Sequence, residues 1–106
     1  MTELRKLVQD GNVAVIVSPD YGAGWSTWNS EHGSQILFDP EIAAALLAED
    51  KSRARQIADD KYPDVYAGGL DKAIVKWVPQ GQRFVINEYD GYESLEVLGP
   101  DYGHVA

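Results

Sequence analysis

The first pattern of hydrophobic and polar positions along the chain predicts a β-hairpin. Two apolar runs, residues 4–8 and 13–17, lie on either side of the polar residues 9–12 (QDGN). Glycine takes the positive φ that a two-residue turn requires, so an Asp-Gly pair between apolar runs indicates a hairpin. We therefore expect two antiparallel strands. A helical turn over the short first run is the alternative.

Residues 18–35 show no sustained period of 2 or 3.6, and this segment predicts a loop. Eighteen residues without a pattern exceed the usual connection length in a small domain, and loops of this kind are either functional or disordered. Trp25 and Trp28 lie within the segment, and tryptophan is uncommon in disordered chains. We therefore expect an ordered, functional loop.

The pattern after this loop predicts a helical region that begins at residue 40. Asp39 is a good N-cap, Pro40 suits the first helical position, and Glu41 complements the positive end of the helix dipole. The polar residues 49–52 predict a break before a second helical run over 53–60, and a single kinked helix is the alternative. The predicted apolar face consists of Ile42, Leu46 and Ile57.

The last part of the chain predicts an extended segment followed by strands. Residues 65–70 favour an extended segment that its glycines interrupt, and the tail 99–106 carries no pattern. Three alternating segments, 73–78, 83–88 and 92–98, predict a three-stranded meander. The expected fold class is α+β, in which a mainly antiparallel β-sheet, made of the N-terminal hairpin and this meander, packs on one or two central helices. The 106 residues suit a single domain.

Composition narrows the classes of function. The chain has 17 acidic and 9 basic residues, a net charge of -8, and this charge disfavours binding to nucleic acid or to an anionic membrane surface. There is no cysteine, so we expect no disulfides and a cytoplasmic location. The apolar runs are shorter than the roughly 20 residues that span a bilayer, and the N-terminus does not resemble a signal peptide.

Common catalytic and cofactor motifs are missing from the sequence. The only histidines are His32 and His104, and the chain contains no His-Glu-x-x-His, G-x-S-x-G, P-loop, G-x-G-x-x-G or EF-hand pattern. Glu88 and Asp90 are a candidate acid pair, but two acids at a strand end are more typical of a solvated turn. We therefore expect no enzymatic activity, no cofactor and no metal. Catalysis by this acid pair is the third hypothesis.

Residues 21–29 (YGAGWSTWN) concentrate the side chains and backbone that capture a ligand. Aromatic rings stack on flat molecules, hydroxyl and amide groups form directional hydrogen bonds, and glycine allows close backbone approach. The alternative is that Trp25 and Trp28 close over a small core. The segment 66–69 (YAGG) and the turn 88–92 are, taken separately, typical of a bend and a hairpin turn. The alternative is that together they complete the wall of the site. The predicted ligand-binding residues are Tyr21, Gly22, Gly24, Trp25, Ser26, Thr27, Trp28 and Asn29, together with Glu88, Tyr89 and Asp90.

Four segments carry a resemblance to a known group of proteins. They are Ser18-Pro19 with residues 21–29, residues 66–70 (YAGGL), residues 75–81 (VKWVPQG) and residues 88–91 (EYDG). Across about residues 13–94 the chain resembles an uncharacterised family of small proteins from tailed bacteriophages and prophages. The resemblance implies a viral accessory gene, and such genes often counter host defence. It implies no catalytic residue.

Two hypotheses of function follow. The first is a non-enzymatic protein, expected to be a homo-oligomer, that sequesters a small nucleotide-derived defence signal. Tyr21, Trp25 or Trp28 would stack on this ligand, and Ser26, Thr27 and Asn29 would form hydrogen bonds with it. The alternative is an acidic inhibitor that imitates DNA and occupies a basic groove on a host nuclease or DNA-binding complex.

Overall fold

A computed structural model of the protein describes residues 5–19, 22–98 and 103–106. Across these residues the chain forms short strands, three α-helices and three 3-10 turns. The strands are β1 (Val8–Gln9), β2 (Asn12–Val17), β3 (Ile74–Pro79), β4 (Arg83–Tyr89), β5 (Tyr92–Val97) and β6 (His104–Val105). The helices are α1 (Gly33–Leu37), α2 (Pro40–Leu47) and α3 (Lys51–Lys61), and the 3-10 turns are Ser26–Trp28, Ser30–His32 and Gly68–Asp71.

The strands form two antiparallel three-stranded sheets, and the fold class is α+β as predicted. The first sheet has the order β1-β2-β3 and the second has the order β5-β4-β6. The N-terminal hairpin is confirmed, since Val8 pairs with Val13 across a turn in which Asp10 and Gly11 both have positive φ. Within the described residues, β1 is shorter than the predicted run over residues 4–8.

Strand β2 has both faces buried, which explains its continuous apolar sequence. Ala14 and Ile16 pack with helices α2 and α3 in one core cluster. The alternate residues Val13, Val15 and Val17 pack in a second cluster, which includes Phe84 of β4. The first sheet therefore has helices against one face and residues of the second sheet against the other.

The predicted three-stranded meander is confirmed in its β4–β5 hairpin and wrong in its pairing of β3 with β4. Strand β3 pairs with β2, with Val78 opposite Val13, whereas β4 pairs with β5 and with β6. Between β3 and β4 the amide of Gln80 donates to the carbonyl of Gly11, and the amide of Gly81 donates to the carbonyl of Ala106. These bonds direct the chain from the first sheet to the second. The turn is therefore a corner, meaning that it connects strands of two different sheets, and the two strands do not pair as they would in a hairpin.

The helical prediction is confirmed in its two-helix form. Oδ1 of Asp39 accepts hydrogen bonds from the amides of Glu41 and Ile42, both at 3.0 Å, and this cap begins α2. Glu49 has a φ of 59° and separates α2 from α3. The predicted apolar face is buried, as expected for Ile42, Leu46 and Ile57.

Three predictions about loops need correction. The predicted loop over residues 18–35 contains two 3-10 turns and the start of α1. The predicted extended segment over 65–70 ends in the 3-10 turn Gly68–Asp71. The tail contains strand β6. Elements of two to five residues are too short to show a hydrophobic period, so contacts with the rest of the fold determine them.

No helix in the described ranges has the length and apolar character needed to cross a membrane.

Candidate functional site

The carboxylate of Glu93 organises the predicted binding loop. Glu93 lies on β5 and is fully buried. Its Oε1 accepts a hydrogen bond from the amide of Ser18 at 2.9 Å. Its Oε2 accepts bonds from the amide of Trp25 at 2.8 Å, from the amide of Thr27 at 3.1 Å and from the hydroxyl of Thr27 at 2.6 Å. Four donors from three positions of the chain thus converge on one side chain, and Glu93 fixes the shape of the loop.

Trp25 is part of the hydrophobic core. Its side chain is 0% exposed, and its Nε1 donates to the carbonyl of Ile36 at 3.0 Å. Ser26 is also buried, and the hydroxyl of Thr27 is bonded to Glu93. These positions correct the expected ligand contacts of Trp25, Ser26 and Thr27, because none of the three presents a free group to a molecule at the surface. For Trp25 the alternative of a ring closing over the core is confirmed.

Trp28 occupies a different environment from Trp25, although the two lie three residues apart. It is 43% exposed, and its Nε1 donates to Oε2 of Glu88 at 3.1 Å. The amide of Gly91 donates to the same oxygen at 2.7 Å. These two bonds lower the pKa of Glu88, with the Gly91 amide as the larger cause. Glu88 therefore supports Trp28 and the turn after β4.

Asn29 joins the loop to the segment that contains Tyr66. Its side-chain Nδ2 donates to the carbonyls of Trp25 and Tyr66, both at 2.9 Å. Its Oδ1 accepts from the amide of Tyr66 at 2.8 Å. The amide group of Asn29 is thus engaged by the protein, and this corrects its expected role as a hydrogen-bond partner of the ligand. The ring of Tyr66 lies 5.7 Å from that of Trp28, measured between centroids.

Close backbone contacts bring the three predicted aromatic and glycine segments together. The amide of Gly22 donates to the carbonyl of Asp90 at 3.1 Å. A Cβ added to Gly91 would lie 2.6 Å from the amide nitrogen of Ala23, and one added to Gly69 would collide with the carbonyl oxygen of Gly24. The loop therefore contacts both the 66–69 segment and the β4–β5 turn, which agrees with the alternative in which these segments lie together.

A cleft of about 310 Å³, here called the glycine cleft, opens beside this junction. Tyr66, which is 58% exposed, supplies its aromatic wall. Of the predicted ligand-binding residues that the structure describes, only Gly22 is among those that line it. The lining residues are Ser18, Gly22, Ala23, Tyr66, Gly68, Gly69, Asp71 and Lys72.

A second cleft of about 230 Å³, here called the histidine cleft, lies on the side of Trp28 and Asn29. Nε2 of His32 lies 3.0 Å from Oδ2 of Asp64, and this contact is the main cause that lowers the pKa of Asp64. Glu31, His32 and Asp64 place their ligand atoms within 4.8 Å of one another. No motif spacing in the sequence marks this group, because residues 31–32 and residue 64 meet only in the folded chain.

The other predicted site residues are not among those that line the two described clefts, or they lie outside the described residues. Tyr89 is 76% exposed and is not among the residues lining either cleft. Asp90 occupies the β4–β5 turn with a φ of 50°. Gly24 is buried against Thr27, Trp28 and Glu93, where a side chain would not fit. Tyr21 lies outside the described residues.

Comparison with known proteins adds no relative to this α+β fold. No protein-family model matches the chain, and no curated protein and no solved structure matches it significantly.

Proposed function

We propose that this protein binds a small nucleotide-type ligand in the glycine cleft and leaves it chemically unchanged. The observation that carries the proposal is the exposed ring of Tyr66 in the wall of a cleft of about 310 Å³. Pockets of about 300–1,000 Å³ accept small organic molecules. An aromatic face in such a wall suits the flat surface of a nucleobase.

The ring of Tyr66 is held in place before any ligand arrives. A Cβ at Gly68 would lie 2.7 Å from Cε1 of Tyr66, so the ring packs directly on the glycine backbone. The indole of Trp28 packs beside it, tilted by 36°. Stacking on a ring that is already ordered has a small entropic cost, and this favours affinity. Trp28 thus contributes to the site by supporting Tyr66.

Three basic side chains favour a ligand that carries phosphate. Lys72 lines the glycine cleft. Beside it, Nζ of Lys51 donates to the carbonyl of Asp71 at 2.7 Å, and Nη1 of Arg55 lies 3.1 Å from Oδ1 of Asp71. The carboxylate of Asp71, which also lines the cleft, neutralises part of this charge. The positive charge that remains is local, and it opposes the repulsion of an anion by a chain of net charge -8. A nucleotide fits this arrangement better than an uncharged nucleoside.

The biological role in this proposal follows the resemblance to phage proteins. A protein that binds a nucleotide-derived defence signal without converting it lowers the free concentration of that signal in the host cytoplasm. We propose this sequestering role, carried out by a homo-oligomer. Native mass spectrometry of the protein purified from cells with an active signalling system should find the subunit count and a retained nucleotide together.

The binding proposal is tested with adenosine, AMP, ATP and cyclic di-GMP by thermal shift and calorimetry. At least one nucleotide should raise the melting temperature of the protein, and adenosine should bind more weakly than AMP. Tyr66→Ala should lower the affinity by about tenfold, because stacking contributes about 1–3 kcal/mol per base. Lys72→Ala should weaken binding of AMP and leave binding of adenosine unchanged.

The matched control is Tyr89→Ala, since Tyr89 is 76% exposed and lies outside the residues that line the clefts. This variant should bind like the parent protein. Equal losses in the Tyr66 and Tyr89 variants, or no response to any of the four compounds, would refute the glycine cleft as a nucleotide site. An absence of response to all four compounds would favour the alternative function, an acidic inhibitor that imitates DNA. Such a protein binds through its net charge and needs no cleft.

A further inference from the structure

The histidine cleft brings together three side chains with the chemistry of metal ligands. Glu31 and His32 belong to the 3-10 turn Ser30–His32, and Asp64 follows helix α3. The side chains of His32 and Asp64 are 30% and 61% exposed, and Glu31 is exposed as well. An ion from solvent can therefore reach all three groups.

We propose that Glu31, His32 and Asp64 bind a divalent first-row transition-metal ion, with Zn²⁺ as the representative. One imidazole nitrogen and two carboxylates give three protein ligands, and a fourth position is left for water or another molecule. An imidazole ligand selects transition metals over Ca²⁺ and Mg²⁺, which prefer sites built from oxygen. The net charge of -8 further favours a cation.

The observed distances suit this coordination. Two ligands bonded to zinc at tetrahedral angles lie about 3.3 Å apart, given bond lengths of about 2.0–2.1 Å. Nε2 of His32 and Oδ2 of Asp64 lie 3.0 Å apart, so an ion can replace the bond between them with a small displacement. The ligand atoms of the cluster lie within 4.8 Å of one another, and rotation of the exposed side chain of Glu31 can close the remaining gap.

The imidazole is also held in position by its surroundings. The ring of His32 lies 5.7 Å from that of Tyr62 between centroids. Tyr62 is itself fixed, because its hydroxyl donates to Oδ2 of Asp39 at 2.6 Å and its side chain is buried. The amide of His32 donates to the carbonyl of Asn29 at 3.0 Å. Ligands that are oriented before binding increase metal affinity.

This site is separate from the proposed nucleotide site. The two clefts share no lining residue. Metal binding can therefore be measured without any nucleotide, and the failure of one proposal leaves the other intact.

The test uses the full chain after treatment with a chelator and dialysis. Calorimetric titration with Zn²⁺ should show one equivalent bound, and Co²⁺ should give the visible absorption of a four-coordinate site. His32→Gln and Asp64→Asn should each lower the Zn²⁺ affinity by at least about tenfold. Glu31→Gln should lower the affinity as well, and its exposed position makes this variant the least disturbing to the fold. Circular dichroism checks that each variant is folded.

The matched controls change the same residue types outside the cluster. His104→Gln replaces the other histidine, and Asp60→Asn replaces an exposed acid on α3. Both should bind Zn²⁺ like the parent protein. The proposal is overturned if the parent protein shows no saturable binding, if His32→Gln keeps its affinity, or if Ca²⁺ binds as tightly as Zn²⁺.

Discussion

Glu93 shows how much of the fold can depend on one side chain. Its carboxylate lies on β5 and receives hydrogen bonds from Ser18, Trp25 and Thr27, which lie more than sixty positions earlier in the chain. Buried N–H groups that lose their acceptor cost about 1–3 kcal/mol each. Replacing this one residue therefore affects several bonds at once.

Glu93→Gln should lower the free energy of unfolding by about 2–4 kcal/mol. The amide keeps the size of the side chain but places an NH₂ donor against groups that are themselves donors. Urea denaturation followed by tryptophan fluorescence measures the change. The matched control is Glu96→Gln, an exposed acid on the same strand, which should change stability by less than about 0.5 kcal/mol. Similar values for the two variants would contradict the role given to Glu93.

Trp25 and Trp28 are two residues whose burial could not be predicted from the sequence. Both lie in the same short segment, and the sequence offers no difference in chemistry between them. One is buried in the core and the other is 43% exposed. Their environments depend on Ile36 and Glu88, which are residues from other parts of the chain. Of the predicted ligand-binding residues that the structure describes, only Gly22 lines the glycine cleft, and the arrangement of its other lining residues became visible only in three dimensions.

The elements that the sequence predicted well are those set by local bonds. The Asp10-Gly11 turn and the Asp39 cap each involve residues within a few positions of one another. The partners of β3 and β4 depend on contacts with Gly11 and Ala106, which are distant in sequence. A strand, a turn and a second strand give the same pattern whether the turn makes a hairpin or a corner. The predicted pairing of β3 with β4 was wrong for this reason.

Strand β6 connects the end of the chain to the second core cluster through His104. Its ring lies 5.5 Å from that of Phe84 and 6.3 Å from that of Phe38, measured between centroids. Burial lowers the pKa of His104 below its ordinary value of 6.5. Below this pH the unfolded chain binds a proton more readily than the folded protein does. Stability is therefore fully present above pH 6.5 and decreases as the pH falls toward the lowered pKa.

Melting temperatures at pH 7.5 and pH 5.5 test this effect of His104. The parent protein should lose more stability across the interval than His104→Gln, because the glutamine does not titrate. The carboxylates titrate in both proteins, so the difference between the two pH dependences isolates His104. Parallel pH dependences would show that burial of the imidazole has no effect on stability.

At the scale of the whole molecule, β2 couples two core clusters. Its alternate residues face the helices on one side and the second sheet on the other. Val15 belongs to the second cluster, and Trp25 belongs to the first. A strand shared in this way should make the two clusters unfold as one cooperative unit.

Val15→Ala should lower the free energy of unfolding by about 2–3 kcal/mol, from lost burial and from the cavity left behind. Tryptophan fluorescence, to which the buried Trp25 contributes, and far-UV circular dichroism should report the same shifted midpoint. The matched variant Val97→Ala removes the same atoms from a residue that is 56% exposed, and it should have little effect. A shift in the circular dichroism midpoint without a shift in fluorescence would mean that the two clusters unfold independently.

The tight contacts at Gly24, Gly69 and Gly91 restrict which sequences can share this architecture. Any added side chain at these positions would meet backbone or the bonded groups around Glu93, whereas Gly11 and Gly81 have open space beside them. We therefore expect these three glycines and an acid at position 93 to be conserved in related proteins, even where the surrounding residues diverge. A sequence search that gives extra weight to these four positions should be more sensitive to distant homologues than one based on overall identity.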